Sequence, residues 1–200
     1  QDLPRTAANF SAISPLSFIE RSARVYPDLP AIVHGSGESA IRRTWSQTYR
    51  RCRQLASALV RSGVGKGDTV AVLLPNTPPM VEVHFGVPMT GAVLNTINTR
   101  LDPQTVAFIL DHGEAGTLIV DSEFAGVARK ALELRQSTKP LQVIDASDPI
   151  YTGPADSVGS IEYEAFIADG DPEFEWQLPG DEWDAIALNY TSGTTGNPKG

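Results

Sequence analysis

The sequence contains little cysteine and little histidine. Cys52 is the single cysteine among 200 residues, so no disulfide can form within the chain, as is typical of a reducing compartment. We expect Cys52 to be a small core residue, because it falls on the apolar stripe of a predicted helix. The three histidines, His34, His84 and His112, lie far apart and lack the spacing of zinc ligands. An intrachain disulfide framework is therefore excluded, and a zinc site is disfavoured.

Long hydrophobic runs and a surplus of basic residues are also missing. No stretch approaches the roughly 20 apolar residues that cross a bilayer, and residues 1–10 lack the charged-then-apolar order of a signal peptide. The chain carries 16 Lys and Arg against 24 Asp and Glu, a formal net charge of −8. Because nucleic-acid binding needs a basic surface, we expect no nucleic-acid partner. We expect a cytoplasmic protein without a membrane span.

Helix-start signals divide the remaining chain into regular units. They occur at Ser14, at Thr44, where Gln47 can complete a capping box, and at Asp102. These signals predict helices over residues 16–26, 45–62 and 103–112, and apolar spacing predicts a further helix over 124–134. Gly63 is the expected end of the second helix. Its predicted apolar face comprises Tyr49, Cys52, Leu55, Ala56, Leu59 and Val60.

Short apolar runs alternate with these helices. Residues 70–74 form a continuous apolar run that includes β-branched residues, which is typical of a strand buried on both faces. Similar strands are predicted over residues 31–33, 117–120, 141–144 and 185–190. This alternation predicts an α/β fold with a mainly parallel sheet flanked by helices. We expect residues 1–200 to share one domain, with residues 145–160, rich in Asp, Ser, Gly and Pro, as a surface loop.

Chemistry-bearing residues concentrate in the last ten positions, directly after the predicted strand 185–190. The segment Thr191-Ser-Gly-Thr-Thr-Gly-Asn-Pro-Lys-Gly200 holds four hydroxyls, three glycines and a lysine. Hydroxyls donate hydrogen bonds to phosphate oxygens, glycines let backbone N–H groups approach them, and Lys199 adds a compact positive charge. A surface turn made of common turn residues is the alternative. The segment does not fit the Walker pattern, because Gly200 follows Lys199 where Ser or Thr is required.

The same segment resembles the phosphate-binding signature of the adenylate-forming superfamily, which includes acyl-CoA synthetases, beetle luciferases and peptide-synthetase adenylation domains. Residues 64–76, 91–102 and 108–115 are similar to the same family, in matching order. The sequences of residues 84–95 and 187–192 most resemble those of acyl-CoA synthetases for short or medium acids. This branch includes methylmercaptopropionate-CoA ligases and plant acyl-activating enzymes. The resemblance implies the N-terminal part of the large ATP- and acyl-binding domain.

The resemblance also implies a reaction in two steps. A carboxylate attacks the α-phosphate of Mg-ATP and expels pyrophosphate, and coenzyme A then displaces AMP to give a thioester. ATP, Mg²⁺ and coenzyme A are therefore expected, with a small carboxylic acid as the substrate; a fatty acid or 3-methylmercaptopropionate would fit. Thr194 is the expected Mg-ATP contact, and Lys199 neutralises charge. The residues assigned to ATP phosphates are Thr191, Ser192, Gly193, Thr194, Thr195, Gly196 and Lys199.

Members of this family are more than twice as long as 200 residues, and their adenine, ribose and lid-domain residues lie further along the chain. No catalytic residue is therefore assigned here, and residues 1–200 alone are expected to be inactive. Two alternatives stay open: another adenylate-forming domain, luciferase-like or dependent on a carrier protein, and a non-catalytic nucleotide-binding protein. A homodimer also stays open.

Two further features receive structural interpretations. We expect His84 to be a packed, hydrogen-bonded core histidine rather than a substrate contact. The acidic stretch around Trp176 and Trp183 could bind a partner, but a solvated linker leading into the final strand is favoured.

Overall fold

The computed structural model describes residues 4, 6, 8–191 and 198–200. Besides three short 3-10 helices, these residues contain six α-helices and eight strands. The helices are α1 (Leu16–Val25), α2 (Trp45–Arg61), α3 (Pro78–Gly86), α4 (Pro103–His112), α5 (Ala125–Leu134) and α6 (Tyr163–Ala168). The strands are β1 (Pro30–His34), β2 (Ile41–Thr44), β3 (Thr69–Leu73), β4 (Val93–Thr96), β5 (Ala115–Asp121), β6 (Gln142–Ala146), β7 (Ile161–Glu162) and β8 (Ala187–Leu188).

Six strands form one sheet in the order β7-β6-β5-β3-β4-β8, and every neighbouring pair in it is parallel. Strands β1 and β2 form a separate antiparallel pair. The predicted α/β fold with a mainly parallel sheet is therefore confirmed. Within the described residues, no helix is long and apolar enough to cross a membrane.

The sheet is buried on both faces because its strands alternate their side chains between two helical layers. In β3, Val70 and Val72 pack with residues of α2, α3 and α6, whereas Ala71 and Leu73 pack with residues of α4 and α5. All four are completely or almost completely buried. This explains the continuous apolar run that predicted the strand.

Side-chain caps start two of the helices as predicted. Thr44 Oγ1 accepts a hydrogen bond from Gln47 N, and Gln47 Oε1 accepts one from Thr44 N, which completes the capping box of α2. The Asp102 carboxylate accepts from the backbone N–H groups of Gln104 and Thr105 at the start of α4. Helix α1 differs from the expectation, because its N-cap is Pro15 rather than Ser14 and no side chain caps it, although Ser14 Oγ accepts a hydrogen bond from Leu16 N.

Several sequence expectations were wrong in detail. Val60 is 43% exposed and lies off the apolar face of α2. Residues 145–160 are not all surface loop, because β6 extends through Ala146 and the Asp145 carboxylate is buried. That carboxylate accepts hydrogen bonds from Val158 N and Gly159 N, so it fixes the end of the loop.

The acidic stretch is not a fully solvated linker. Phe174 and Trp176 pack against a cluster from α1 and α2, and Trp176 Nε1 donates to the Tyr49 hydroxyl across 2.8 Å. Trp183, by contrast, is 88% exposed. Residues 174–176 therefore hold this segment on the helical layer.

Candidate functional site

The predicted phosphate segment begins where the parallel strands end. β8 pairs with β4 through Leu94–Ala187 and Asn95–Leu188, and the chain then continues through Tyr190 to Thr191. Ligands of open parallel sheets bind at the carboxyl ends of the strands, where loops are free to surround them. The fold thus places Thr191 at the edge of the sheet where a binding site is expected.

A pair of backbone hydrogen bonds joins the two ends of this segment. Thr191 N donates to Lys199 O across 2.9 Å, and Lys199 N donates to Thr191 O across 3.3 Å. The other predicted phosphate contacts, including the Mg-ATP contact Thr194, lie outside the described residues; they are Ser192, Gly193, Thr194, Thr195 and Gly196. Thr191 and Lys199 are therefore the two predicted site residues that the structure places, and it brings them together.

A cavity of mixed apolar and uncharged polar lining lies beside the start of this segment. It has a volume of about 270 Å³ and connects the ends of β4 and β8. Thr96 Oγ1 donates to Asn189 Oδ1 across 2.8 Å, which ties the two strand ends together. No carboxylate belongs to the lining, which consists of Thr96, Ile97, Asn98, Leu101, Ile109, Asn189 and Tyr190. This lining is therefore compatible with an anionic ligand.

The positive charge of Lys199 is not neutralised by a carboxylate within the described part of the chain. Two of the other three lysines are paired, Lys66 with Asp184 across 2.8 Å and Lys139 with Glu114, whereas Lys130 has no ion pair among the described residues. Lys199 is exposed and has no such ion pair among the described residues. Its ammonium group is accordingly available to an anion at the same edge of the sheet.

Tyr190 and His112 form a contact that the sequence did not reveal. The Tyr190 hydroxyl oxygen lies 2.7 Å from His112 Nδ1, and Phe108 stacks on the His112 ring with centroids 5.2 Å apart. Partial burial raises the pKa of the Tyr190 phenol above its ordinary value, so the hydroxyl is protonated at neutral pH. The two residues are separated by 78 positions, which is why spacing alone could not pair them.

Asn95 is a second polar residue that the sequence did not single out as a site. It lies on β4 and is completely buried, yet neither atom of its amide group has a hydrogen-bond partner among the described residues. A Cβ atom at Gly113 would come within 3.0 Å of the Asn95 amide nitrogen. Gly113 therefore leaves the space into which this amide group points.

The three histidines do not form a common site. His34 Nε2 contacts the Asp148 carboxylate at 3.0 Å, and His112 contacts Tyr190. The expectation of a packed core position for His84 was wrong, because this residue is exposed on α3 and its Nδ1 lies 2.7 Å from Met80 O of the same helix. Among the described residues, no group of three or more His, Cys, Asp or Glu side chains could hold a metal ion.

Cys52 is a core residue, as predicted. It is completely buried, and burial raises the pKa of its thiol well above the ordinary value. The thiol is therefore neutral and inert at physiological pH.

Comparison with known proteins agrees with this geometry. The AMP-binding enzyme family matches residues 19–200. An acetate–CoA ligase of Humulus lupulus is 49% identical over 208 residues, and a peroxisomal acetate/butyrate–CoA ligase of Arabidopsis thaliana is 48% identical over 208 residues. Both alignments cover 100% of this chain and 36% of the relative, so the chain spans little more than a third of their length.

Solved structures share the fold. A long-chain-fatty-acid-CoA ligase of Archaeoglobus fulgidus matches with a TM-score of 0.76 at 25% identity, covering 95% of this chain and 36% of the other. The anthranilate CoA ligase AuaEII, whose crystal structure contains anthranoyl-AMP, matches with a TM-score of 0.76 at 24% identity; 97% of this chain and 35% of that chain are covered. Given the parallel sheet, the paired ends of the segment 191–199 and these matches, the chain belongs to the AMP-binding enzyme family.

Proposed function

We propose that the protein is an AMP-forming carboxylate–CoA ligase and that residues 1–200 supply the N-terminal part of its large ATP- and acyl-binding domain. The observation that carries the proposal is the pairing of Thr191 with Lys199 at the carboxyl edge of the sheet. Lys199 has no ion pair among the described residues, and the cavity lined by Tyr190, one residue before Thr191, has no carboxylate in its lining. An anion with several phosphate oxygens fits these surroundings.

In this proposal the phosphate segment binds and orients ATP. Lys199 neutralises charge on the phosphates, and Thr191 lies at the point where the segment leaves the sheet. The remaining contacts proposed for the phosphates come from Ser192, Gly193, Thr194, Thr195 and Gly196. The chain's own contribution is thus positioning and electrostatic stabilisation, which are the main sources of catalysis in phosphoryl-group chemistry.

In this reaction Mg²⁺ would bind as a complex with ATP. The oxygen-bearing side chains at the sheet edge, Thr96, Asn98 and Asn189, are hard ligands of the kind that suits Mg²⁺ or its bound waters. Thr194 is the proposed direct contact. When bound, Mg²⁺ neutralises phosphate charge alongside Lys199.

Coenzyme A is proposed as the acceptor and a short carboxylic acid as the substrate. The printed names of the two plant relatives, an acetate–CoA ligase and an acetate/butyrate–CoA ligase, support this class of acid. We propose a reducing compartment such as the cytoplasm, which the single buried cysteine supports.

The test is carboxylate-dependent ATP–pyrophosphate exchange by the complete reading frame that contains this sequence. The acids would include acetate, butyrate, medium-chain fatty acids, 3-methylmercaptopropionate and benzoate, each with and without coenzyme A. The expected result is exchange with short acids and thioester formation once coenzyme A is present. Exchange without thioester would point to a carrier-protein acceptor or luciferase-like chemistry. Binding of ATP without exchange would point to a non-catalytic nucleotide-binding protein.

The contribution of the phosphate segment is tested with a pair of lysine variants. Lys199→Met should lower the exchange rate by about 10²-fold, because a fixed positive charge at the phosphates is lost, while the melting temperature stays near that of the parent. Lys66→Met is the matched control, since Lys66 precedes β3 and therefore lies at the opposite edge of the sheet. Equal exchange rates for the two variants would remove Lys199 from the mechanism.

A further inference from the structure

The ring of Tyr190 touches both ends of the phosphate segment. Tyr190 directly precedes Thr191, and a Cβ atom at Gly200 would lie 2.8 Å from Cε1 and Cζ of the Tyr190 ring. Gly200 in turn follows Lys199, whose backbone is hydrogen-bonded to Thr191. A shift of the ring would therefore move Lys199 relative to the strand that carries Thr191.

Helix α4 holds this ring in place through one residue. His112, in the last turn of α4, contacts the Tyr190 hydroxyl through Nδ1 at 2.7 Å, and the two rings meet edge to face with centroids 5.7 Å apart. Phe108, one turn earlier, stacks on the same imidazole at 5.2 Å. The imidazole thus has a stacked neighbour, an edge-to-face neighbour and a hydrogen bond, which together restrict its rotamer.

We infer that His112 is a positioning residue for ATP, acting on the phosphate segment through the Tyr190 ring. The inference rests on the proposed function, because it concerns the same segment. His112 needs no contact with the nucleotide: it keeps the ring against Gly200, and the ring keeps the two ends of the segment in register. Loss of His112 should weaken the binding of ATP. The binding of the carboxylic acid and the stability of the fold should change little.

The experiment measures both KM values, kcat and the melting temperature for variants of the complete reading frame. His112→Ala should raise KM for ATP about 3- to 10-fold, the range that loss of one hydrogen bond gives, with little change in KM for the acid. Tyr190→Phe should give a similar rise, and the double variant should add little to either, because both changes remove the same contact. His112→Asn should restore KM for ATP, because its side-chain amide can occupy the place of Nδ1.

The matched control is His84→Ala. His84 is also an exposed histidine in the last turn of a helix, but its hydrogen bond goes to its own helix. The inference is overturned if His112→Ala leaves KM for ATP unchanged, if His84→Ala raises it equally, or if both KM values rise together with a fall in melting temperature. If the parent protein showed no carboxylate-dependent ATP–pyrophosphate exchange, the proposed function would be overturned, and the role of His112 with it. An active parent with an unchanged His112→Ala variant would overturn the role alone.

Discussion

Glu82 is a carboxylate in the interior that is stabilised by three partners. Its side chain is completely buried on α3, where Arg51 donates to it from Nε at 2.6 Å and from Nη2 at 3.2 Å. Arg43 also donates to it, and so does the Tyr163 hydroxyl at 2.8 Å. Partners from β2, α2 and α6 thus converge on one residue of α3, which connects four elements.

The protonation states of these partners favour the network. Burial raises the pKa of the Tyr163 hydroxyl well above its ordinary value, and the adjacent Glu82 raises it further. Burial alone would lower the pKa of Arg51, but its hydrogen bonds and ion pairs with Glu164 and Glu82 outweigh this effect and raise it. Tyr163 therefore remains a donor and Arg51 remains charged at any physiological pH.

Glu82→Ala should lower the free energy of unfolding by about 3–5 kcal/mol, because it removes the buried carboxylate shared by Arg43 and Arg51 and leaves both with only the exposed Glu164 as an ionic partner. Urea denaturation would measure the change. Asp156→Ala is the control, since its ion pair with Arg129 is exposed to solvent and should contribute little. A loss of stability in Glu82→Ala no greater than in the control would show that the network is dispensable.

At the scale of single elements, helix starts are fixed by side chains that accept hydrogen bonds. The Asp102 carboxylate accepts two backbone N–H groups of α4 and the Thr105 hydroxyl, the latter at 2.7 Å. These hydrogen bonds, led by that of the Thr105 hydroxyl, lower the pKa of Asp102 below its ordinary value. Because α4 also carries His112, the cap at one end of this helix supports the residue that contacts Tyr190 at the other.

A lowered carboxyl pKa makes the cap of α4 sensitive to acid. The stabilisation from ionised Asp102 is complete above the unfolded pKa of about 3.9 and is lost as the pH falls through the lower pKa of the folded protein. Asp102→Asn should therefore melt close to the parent at pH 7, where asparagine also caps helices, and lose less stability between pH 5 and pH 3. Melting temperatures across this range would test the expectation. Parallel curves for the two proteins would contradict it.

The sequence predicted the elements that carry strong local signals and missed those without them. The predictions for α2 and α4 were confirmed because Thr44 and Asp102 cap these helices with their side chains. Helix α3 was missed because its apolar residues do not fall on one face, and β4 was missed because Asn95 and Thr96 interrupt its apolar run. The shortest elements, β7, α6 and the actual extent of β8, depend on tertiary pairing rather than on local pattern.

In the candidate site, too, residues with a local sequence signal were predicted, and residues that meet only through tertiary packing were not. Thr191 and Lys199 were predicted because their residue types and spacing carry phosphate chemistry. His112 and Tyr190 were not paired, because the contact between them depends on how α4 packs beside β8. The interpretation of His84 was wrong for a related reason: the sequence could not show which side of α3 faces solvent.

At the scale of the whole molecule, the connection between β6 and β7 contains a continuous exposed stretch. Residues 152–157 are all exposed, whereas Asp145 secures the chain again at Val158 and Gly159. Beyond this loop, α6 packs into the same apolar layer as α2, through Phe166 and Ile167. A cut in the loop would therefore not release the segment that follows it.

Limited digestion with proteinase K should make its first cut within residues 8–191 between positions 152 and 157. The two pieces should remain together on size-exclusion chromatography under native conditions and separate in urea, because α6 and the rest of the core stay packed. Mass spectrometry would locate the cut. A first cut elsewhere in this range, or separation of the pieces without denaturant, would contradict the expectation.

The position of β8 in the sheet has a consequence for when the site can form. Among the described strands β8 comes last, yet its partner β4 lies about 90 residues earlier, so their pairing closes a very long loop. During synthesis, β3 to β7 can assemble before Ala187 has been translated. The phosphate segment then joins a sheet that has already formed. The capacity to bind a nucleotide therefore arises late in the folding of this region.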